Sequence, residues 1–217
     1  MAQNLPHRFH PGRAISAPAN GNGDSGAART QGISESMFST IVESDVDSIH
    51  TRYYRIAAEA ARQVAAAFES AIAKGSITEP ALFDRNYIPI ANTNPSKHHT
   101  AFDAFTDRVL PPIQEPILEQ NTGITFAIAV DNNGYLPTHN NCFCLPLTGD
   151  YQKDLVGNRT KRIFEDATGR RCGAHTGKVL VQTYRRDTGE VMHDLSVPIY
   201  FRGRHWGGFR MGYKASE

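Results

Sequence analysis

The segment Tyr184-Arg-Arg-Asp187 carries side chains that could hold an anionic ligand, because it lies at the end of a predicted strand. Alternation along a strand places Tyr184 and Arg186 on one face and Arg185 on the other. If that face is the inner one, the planar fork of donors on Arg186 suits a carboxylate, and Tyr184 supplies an amphipathic wall. The alternative is an ion pair between Arg186 and Asp166 or Asp187 at the rim of the sheet.

Arg159 and Arg162 form a second basic cluster, within Asn158-Arg-Thr-Lys-Arg162. Their spacing of three residues is one helical turn, which points both side chains toward the same region as Tyr184. Two functions fit this cluster equally. It binds an anion, or it simply covers the surface of a helix.

Nine histidines raise the hypothesis of a metal or haem site. The candidate donors are His98, His99, His139, His175, His193 and His205. The covalent haem motif C-x-x-C-H is absent. A non-covalent haem on one axial histidine needs no local motif, and His139 or His193 would be its ligand. His139 with Cys142 and Cys144 offers a zinc set, although the C-x-C spacing is crowded.

Catalytic signatures are absent from the sequence, which has no G-x-S-x-G elbow, phosphate loop, H-E-x-x-H or dinucleotide fingerprint. An enzyme that uses His139 or His193 as a general base is therefore the lowest-ranked function. The sequence places no nucleophile or metal partner beside either imidazole. We predict no catalytic residue.

The composition argues against several classes of partner. With 23 Lys and Arg against 22 Asp and Glu in 217 residues, the chain lacks the positive field of nucleic-acid-binding proteins. No run approaches the ~20 consecutive apolar residues of a membrane span, and the N-terminus lacks the apolar core of a secretory signal. We interpret the three cysteines as reduced thiols of a cytoplasmic protein, while a redox role of Cys142 and Cys144 stays open.

The first elements predicted are a disordered arm at residues 1–32 and a long helix at residues 33–75. The arm is rich in Gly, Ala, Asn, Ser and Pro and has little apolar surface to bury. From Ser34 apolar residues recur at helical spacing as far as Lys74-Gly75, where glycine supplies a left-handed C-terminal residue. A helix of this length extends about 60 Å, and its apolar stripe predicts the seam of a homodimer.

Residues 76–217 predict one α+β domain in which helices precede and flank the sheet. A second helix is predicted from Ser96 to Val109, where Pro111-Pro112 breaks it, and a short helix follows from Ile113 to Glu119. Another short helix is predicted within residues 148–164.

The sheet of this domain is predicted to have five antiparallel strands. The candidates for these five strands are six segments with strand patterns, at residues 125–130, 135–139, around Ala174, and at 179–186, 192–201 and 206–214. Turn signals at Asn133-Gly134, Asp187-Thr-Gly189 and Gly203 connect neighbouring strands. Trp206, at the start of the last strand, is predicted to be a core residue.

Four segments together resemble a sensory domain of bacterial methyl-accepting chemotaxis proteins. They are Asp131-Asn-Asn-Gly-Tyr-Leu-Pro-Thr-His-Asn140, Asn158-Arg-Thr-Lys-Arg-Ile-Phe-Glu-Asp166, Gln182-Thr-Tyr-Arg-Arg-Asp187 and Asp194-Leu-Ser-Val-Pro-Ile-Tyr-Phe-Arg-Gly-Arg-His-Trp-Gly207. That domain is similar to Cache and PAS modules and often lies in the cytoplasm, attached to methyl-accepting signalling helices. The resemblance covers about residues 37–213, and its last two segments are the specific part.

The resemblance implies a long N-terminal helix, a five-stranded PAS-like sheet, and a ligand cavity between the sheet and its helices. It also implies a set of pocket residues. These are Tyr135, His139, Tyr184 and Arg186, with Asp131 and Asp187 as orienting carboxylates.

We therefore expect a cytoplasmic, small-molecule-binding sensory module of bacterial chemotaxis that passes its signal through the long helix. Its expected partners are a second copy, which makes a homodimer through that helix, and chemoreceptor signalling helices. A haem-based gas or redox sensor on the same fold is the alternative. The methyl-accepting hairpin is absent from this sequence, so we expect a standalone relative, a part of a longer receptor, or a subunit that signals through a separate partner.

Overall fold

The computed structural model describes residues 34–185 and 190–214 of the chain. The predicted arm at residues 1–32 lies outside the described residues. So do Arg186, Asp187 and the predicted turn that contains them.

The described chain is α+β, as predicted. Its helices are α1 (34–43), α2 (Ile49–Ala73), α3 (Glu79–Leu82), α4 (Asp103–Val109), α5 (Pro111–Gln120), α6 (Tyr151–Gly157) and α7 (Ala167–Ala174). Its strands are β1 (Ile88–Ile90), β2 (Lys97–His99), β3 (Ile124–Asp131), β4 (Tyr135–Leu136), β5 (Arg162–Ile163), β6 (Leu180–Arg185), β7 (Val191–Phe201) and β8 (Arg204–Lys214).

The main sheet has four antiparallel strands in the order β3-β8-β7-β6, so the prediction of five strands is wrong. Two of the predicted strand segments are missing from it: the segment around Ala174 is helical, and β4 pairs with β5 in a separate two-stranded sheet. The Asp131 carboxylate accepts the backbone N–H groups of Asn133 and Tyr135, both at 2.9 Å. These bonds and the positive φ of Gly134 (82°) direct β4 away from β3. The predicted hairpin between these two strands therefore does not form.

The predicted helix of residues 33–75 is divided into α1 and α2 in the structure. Asp45 adopts a positive φ of 53°, and Ser48 then caps α2 by accepting the N–H of Thr51 at 3.1 Å. A serine in this role favours the start of a new helix over the continuation of the old one. The predicted end of the helix is confirmed, because α2 ends at Ala73, Lys74 caps it, and Gly75 has a φ of 68°.

Helix α2 packs across one face of the sheet, chiefly against β7 and β8. Its buried positions include Ala57, Ala60, Ala61, Val64 and Phe68. The small alanine side chains let the helix lie close to the strands, and the larger side chains fill the core. The apolar stripe of α2, from which a dimer seam was predicted, is therefore buried against the sheet of the same chain.

Two other predictions are corrected, and a third is confirmed. Residues 97–99 form β2, so the second helix begins at Asp103 and not at Ser96; its predicted end at Val109 is confirmed. The segment around Ala174 is helical and not a strand, because Asp166 caps α7 by accepting the N–H of Gly169 at 3.0 Å. The short helices predicted within residues 113–119 and 148–164 are present as α5 and α6.

The last two strands of the sheet follow the sequence pattern closely. β7 and β8 form a hairpin whose turn residues Arg202 and Gly203 both have positive φ, 49° and 75°. Trp206 is fully buried, and its indole N–H donates to the carbonyl of Leu82 at 2.9 Å, which confirms it as a core residue.

The other face of the sheet is covered by α7 and by the β4–β5 pair. Gly173 lets α7 approach the sheet, since a Cβ atom there would lie 2.1 Å from the carbonyl oxygen of Asp131. This face has its own small apolar cluster, formed by Phe126, Ile128, Val130 and Leu136 with Phe143 and Phe164 packed against it. None of the helices in the described ranges is long and apolar enough to cross a membrane.

Candidate functional site

A cavity of about 470 Å³ opens between this second face of the sheet and the elements that cover it. It lies among β3, β6 and β8 on one side and the end of α6, β5 and the start of α7 on the other. Its lining consists of Phe126, Ile128, His139, Phe143, Leu155, Arg159, Arg162, Phe164, Asp166, Ala167, Thr168, Tyr184, Arg185 and Arg210. This volume is within the range of small-molecule sites, about 300–1,000 Å³.

Arg159 and Arg162 both line the cavity, on the side opposite the sheet. Both side chains donate to the carbonyl oxygen of Leu155, at 3.4 and 3.2 Å. Both guanidinium groups also lie over the ring of Phe164, with their carbons 5.3 and 5.1 Å from its centroid. The two charges are thus held in place by a backbone acceptor and an aromatic face.

Arg210 enters the cavity from β8 and is almost fully buried. Its Nε atom donates to Asp194 on β7 at 2.6 Å. Burial acts to lower the pKa of Arg210, but the Asp194 carboxylate outweighs it, so the pKa is raised and the guanidinium keeps its charge. The guanidinium carbon lies 5.4 Å from the ring centre of Phe126 and 5.9 Å from that of Phe164.

The second oxygen of Asp194 accepts a hydrogen bond from the Cys172 thiol of α7 at 3.0 Å. Burial raises the pKa of Cys172 well above its ordinary value, so the thiol is protonated and can donate. The side-chain amide of Gln182 donates to the Cys172 sulfur at 3.3 Å and to the carbonyl oxygen of Thr168 at 3.2 Å. This network ties α7 to the central strands behind Arg210.

His139 is buried at the apolar end of the cavity. Its ring centroid lies 4.6 Å from that of Phe143 and 6.1 Å from that of Phe126. The Nδ1 atom accepts the backbone N–H of Asn140 at 2.7 Å, so a neutral His139 carries its proton on Nε2.

The structure brings together some of the predicted pocket residues and not others. Tyr184 and His139 line the cavity, together with the predicted basic pair Arg159 and Arg162. Arg186 and Asp187 lie outside the described residues. Asp131 and Tyr135 do not line the cavity and belong to a separate buried network.

That network surrounds the turn after β3. The Asp131 carboxylate accepts the hydroxyl of Tyr87 at 2.6 Å and lies 3.3 Å from Nε of Arg85. Burial raises the pKa of Asp131, although Arg85 opposes the rise. The hydroxyl of Tyr135 donates to Asp103 at 3.0 Å and to the carbonyl of His98 at 2.9 Å. Both predicted ligand residues therefore hold loops against the sheet.

The second haem candidate, His193, lies away from the cavity. Its ring packs against Phe38 of α1 and His50 of α2, with centroids 5.4 and 5.0 Å apart, and its Nδ1 lies 2.9 Å from the hydroxyl of Thr183. His139 thus lies at the cavity, and His193 lies at the contact of the sheet with α1 and α2.

All three cysteines are free thiols. Among the residues that the structure describes, no group of three or more His, Cys, Asp or Glu side chains is placed to hold a metal ion. The set of His139, Cys142 and Cys144 is therefore not brought into a zinc geometry. Burial raises the pKa of both Cys142 and Cys144, which disfavours the reactive thiolate.

The sequence analysis missed the charged pair and the rings that complete the cavity. The missed lining residues include Phe126, Phe143, Phe164, Arg185 and Arg210. One signal was present, because Asp194 and Arg210 each place a charged side chain in the buried part of a predicted strand. Opposite charges inside neighbouring apolar strands indicate a buried pair.

No family model matches the chain, and no curated protein matches it. The resemblance to a chemoreceptor sensory domain therefore stays a prediction, and the function has to be argued from the cavity.

Proposed function

We propose that this chain is a sensory module that binds a small molecule in the cavity and transmits occupancy to its N-terminal helices. The observation that carries the proposal is the cavity itself, where arginines and aromatic rings from β3, β5, β6 and β8 converge on one space of about 470 Å³. Concave sites with an apolar wall and a few convergent polar groups are typical of small-molecule binding.

Helix α7 supplies a route for the signal. Ala167 and Thr168, at its start, line the cavity. One turn further on, the guanidinium of Arg171 makes a two-pronged ion pair with Glu35 of α1, at 2.6 and 2.5 Å. A ligand that moves α7 therefore acts directly on α1. Such a ligand shifts the equilibrium only through its different affinities for the two positions.

The partners in this proposal are a second copy of the chain and chemoreceptor signalling helices in the bacterial cytoplasm. Three large apolar side chains near the junction of α1 and α2 are exposed: Met37 (61%), Val46 (52%) and Ile49 (41%). Exposed apolar side chains so close in sequence suit a contact with another helix. We place the homodimer or partner contact at this junction, since the stripe of α2 is already buried.

A thermal-shift screen against small carboxylates, amines and purines tests ligand binding. We expect one class to raise the melting temperature, and we expect Ala167→Trp, which fills the cavity, to abolish that rise. The matched control is Ala174→Trp at the exposed end of the same helix, which should keep it. The proposal fails if no class shifts the melting temperature, or if both variants respond like the wild type.

Haem is the second candidate ligand, because His139 lines the cavity and the arginines there could pair with carboxylate groups of the cofactor. To coordinate iron, His139 would have to give up either the hydrogen bond that its Nδ1 accepts from Asn140 or the proton on its Nε2. An absorption spectrum of protein purified with adequate iron distinguishes the two candidates. A Soret band that His139→Ala removes would favour haem. A colourless protein that does not take up added hemin would leave the small-molecule ligand.

A further inference from the structure

The proposed function, on which this inference rests, includes a homodimer, and that homodimer needs a surface that receives the α1–α2 junction (residues 43–49). We propose that two copies of the chain associate about a two-fold axis, and that the junction of each copy sits in the groove between α2 and α5 of the other. Three features support this pairing: the shapes of the two surfaces, their charges and their positions on the chain.

The α2–α5 groove is a concave surface with a volume of about 560 Å³. Its apolar lining consists of Ile56, Ala60, Ile113, Pro116 and Ile117. The polar residues that line it are Arg55, Glu59, Gln63, Gln120 and Asn121. An apolar centre with a polar rim is the usual anatomy of a protein–protein interface. Such a groove accepts a convex apolar surface of a partner.

The α1–α2 junction supplies a convex apolar surface. All five side chains of residues 43–47 are exposed, where Asp45 adopts a positive φ between the two helices. Val46 and, on the first turn of α2, Ile49 present large apolar side chains to solvent. Their burial in the groove of a second copy would remove apolar area from water on both sides of the contact.

The charges of the two surfaces are complementary. The junction carries three acids and no basic residue, namely Glu43, Asp45 and Asp47. Residues 52–63 of α2, which border the groove, carry three arginines and a single acid, Glu59, whose carboxylate already pairs with Arg62. The acids of α5 do not line the groove. Opposite charges on two surfaces orient their encounter and disfavour wrong partners.

The positions of the two surfaces favour a second copy as the occupant. Asp45 of the junction lies 2.7 Å from Arg55, which lines the groove, so the two surfaces adjoin on one chain. A two-fold axis that passes between them places each junction against the opposite groove, and the contact closes as a dimer. An unrelated partner would have to supply the acids and apolar side chains that this chain already presents beside the groove.

Sedimentation of the full chain over a series of concentrations tests the dimer. We expect the wild type to reach twice the monomer mass, and we expect Val46→Asp to weaken the association at least tenfold. The matched control is Val156→Asp on α6, because Val46 and Val156 are exposed to similar extents, 52% and 48%. A monomeric wild type overturns the proposal and leaves the junction to a separate partner. An equal loss in both aspartate variants overturns it as well.

Variants of Gln63, an exposed residue that lines the groove, test whether the groove receives the junction. Gln63→Glu adds a negative charge where the acidic junction docks, and Gln63→Lys adds a positive one. We expect the first to weaken the dimer and the second to strengthen it, each by about threefold. The matched controls, Gln152→Glu and Gln152→Lys on the exposed side of α6, should leave the dissociation constant unchanged.

A dimer that responds to Val46→Asp but to neither Gln63 variant overturns the proposal, because the two junctions would then contact each other outside the grooves. Melting temperatures close to that of the wild type show that each variant is folded. Since Val46 and Gln63 are exposed, their substitution leaves the core unchanged.

The failure of this inference is distinguishable from failure of the proposed function. If the wild type is a monomer but one class of compound raises the melting temperature and Ala167→Trp abolishes the rise, the chain binds a ligand and the dimer is wrong. If the dimer behaves as expected and none of the screened compounds has an effect, the interface stands and the sensory function fails.

Discussion

Asp194 and Arg210 form a buried ion pair behind the cavity wall. Both side chains are buried, and their atoms approach to 2.6 Å. Removal of one partner from such a pair leaves an uncompensated buried charge and usually costs about 3–5 kcal/mol. We predict that Asp194→Ala lowers the free energy of unfolding by an amount in this range, measured by urea denaturation.

The control for this prediction is an exposed pair of the same residue types. Arg55 and Asp45 lie 2.7 Å apart, but both side chains are mostly exposed. Water screens such pairs, so Arg55→Ala, which leaves the left-handed backbone at Asp45 unchanged, is expected to change the free energy of unfolding by at most about 1 kcal/mol. Similar small effects in both variants would show that Arg210 can reach solvent or another acceptor when Asp194 is absent.

His50 links the stability of the protein to pH. Burial, and then the neighbouring charge of His193, lower the pKa of His50 from 6.5 to about 4 in the folded protein. Its Nδ1 lies 2.6 Å from the hydroxyl of Tyr213, and the ring of Phe38 packs against it at 4.6 Å. The unfolded chain therefore binds a proton at higher pH than the folded chain does. This contribution to stability is full above about pH 6.5 and is lost as the pH falls toward 4.

The substitution His50→Asn tests that linkage, since asparagine offers Tyr213 an acceptor but does not titrate. A group with a shifted pKa contributes a slope of up to about 1.4 kcal/mol per pH unit to the free energy of unfolding. We predict that the variant has a shallower slope between pH 4 and 6.5, measured by urea denaturation at several pH values, and the same pH dependence as the wild type above pH 7. Parallel curves throughout would show that His50 is not the titrating group.

Among the elements, α7 depends on close approach to the sheet. A methyl group at Gly173 would lie 2.1 Å from the backbone oxygen of Asp131, which has little freedom to move. Alanine favours a helix over glycine by about 1 kcal/mol, but overpacking against backbone costs about 1–3 kcal/mol or more. We predict that Gly173→Ala lowers the melting temperature. Gly177→Ala, with no atom within 4 Å of the added carbon, should have a much smaller effect. A stable Gly173→Ala protein would mean that α7 can slide over the sheet.

The sequence predicts best those elements whose signals are local. The β7–β8 hairpin has a turn at Gly203, and Gly75 follows the last turn of α2, so neighbouring residues determine each of these boundaries. The basic pair Arg159 and Arg162 was also found from the sequence, and both line the cavity.

Elements that depend on distant partners could not be predicted in this way. The strand that contains Tyr135 pairs with residues 162–163, because side-chain bonds from Asp131 redirect the turn that Asn133-Gly134 would otherwise close. Arg210 and Asp194 are 16 residues apart and meet only because β7 and β8 pair in one register. Hydrophobic periodicity indicates which face a residue occupies, but not which residue it meets there.

At the scale of the whole molecule, α7 lies between the proposed ligand and the proposed output. Its first residues line the cavity, and its Arg171 holds Glu35 of α1. An ion pair at least partly open to water adds only about 0–1 kcal/mol to stability. Loss of this ion pair should therefore leave the fold intact but disconnect α1 from changes at the cavity. Between linked sites, the coupling free energy is usually about 1–3 kcal/mol.

Hydrogen exchange of residues 34–43 measures that coupling. With the compound that raises the melting temperature most, we predict that exchange in this segment changes about 5-fold or more in the wild type, as expected for this range of coupling. In Arg171→Gln the compound should still bind, but the change in exchange should be lost. Arg202→Gln, which breaks an exposed pair with Glu69 away from α7, should respond like the wild type. A response that survives in Arg171→Gln would show that the signal reaches α1 by another path, through the sheet and the contact of His193 with Phe38.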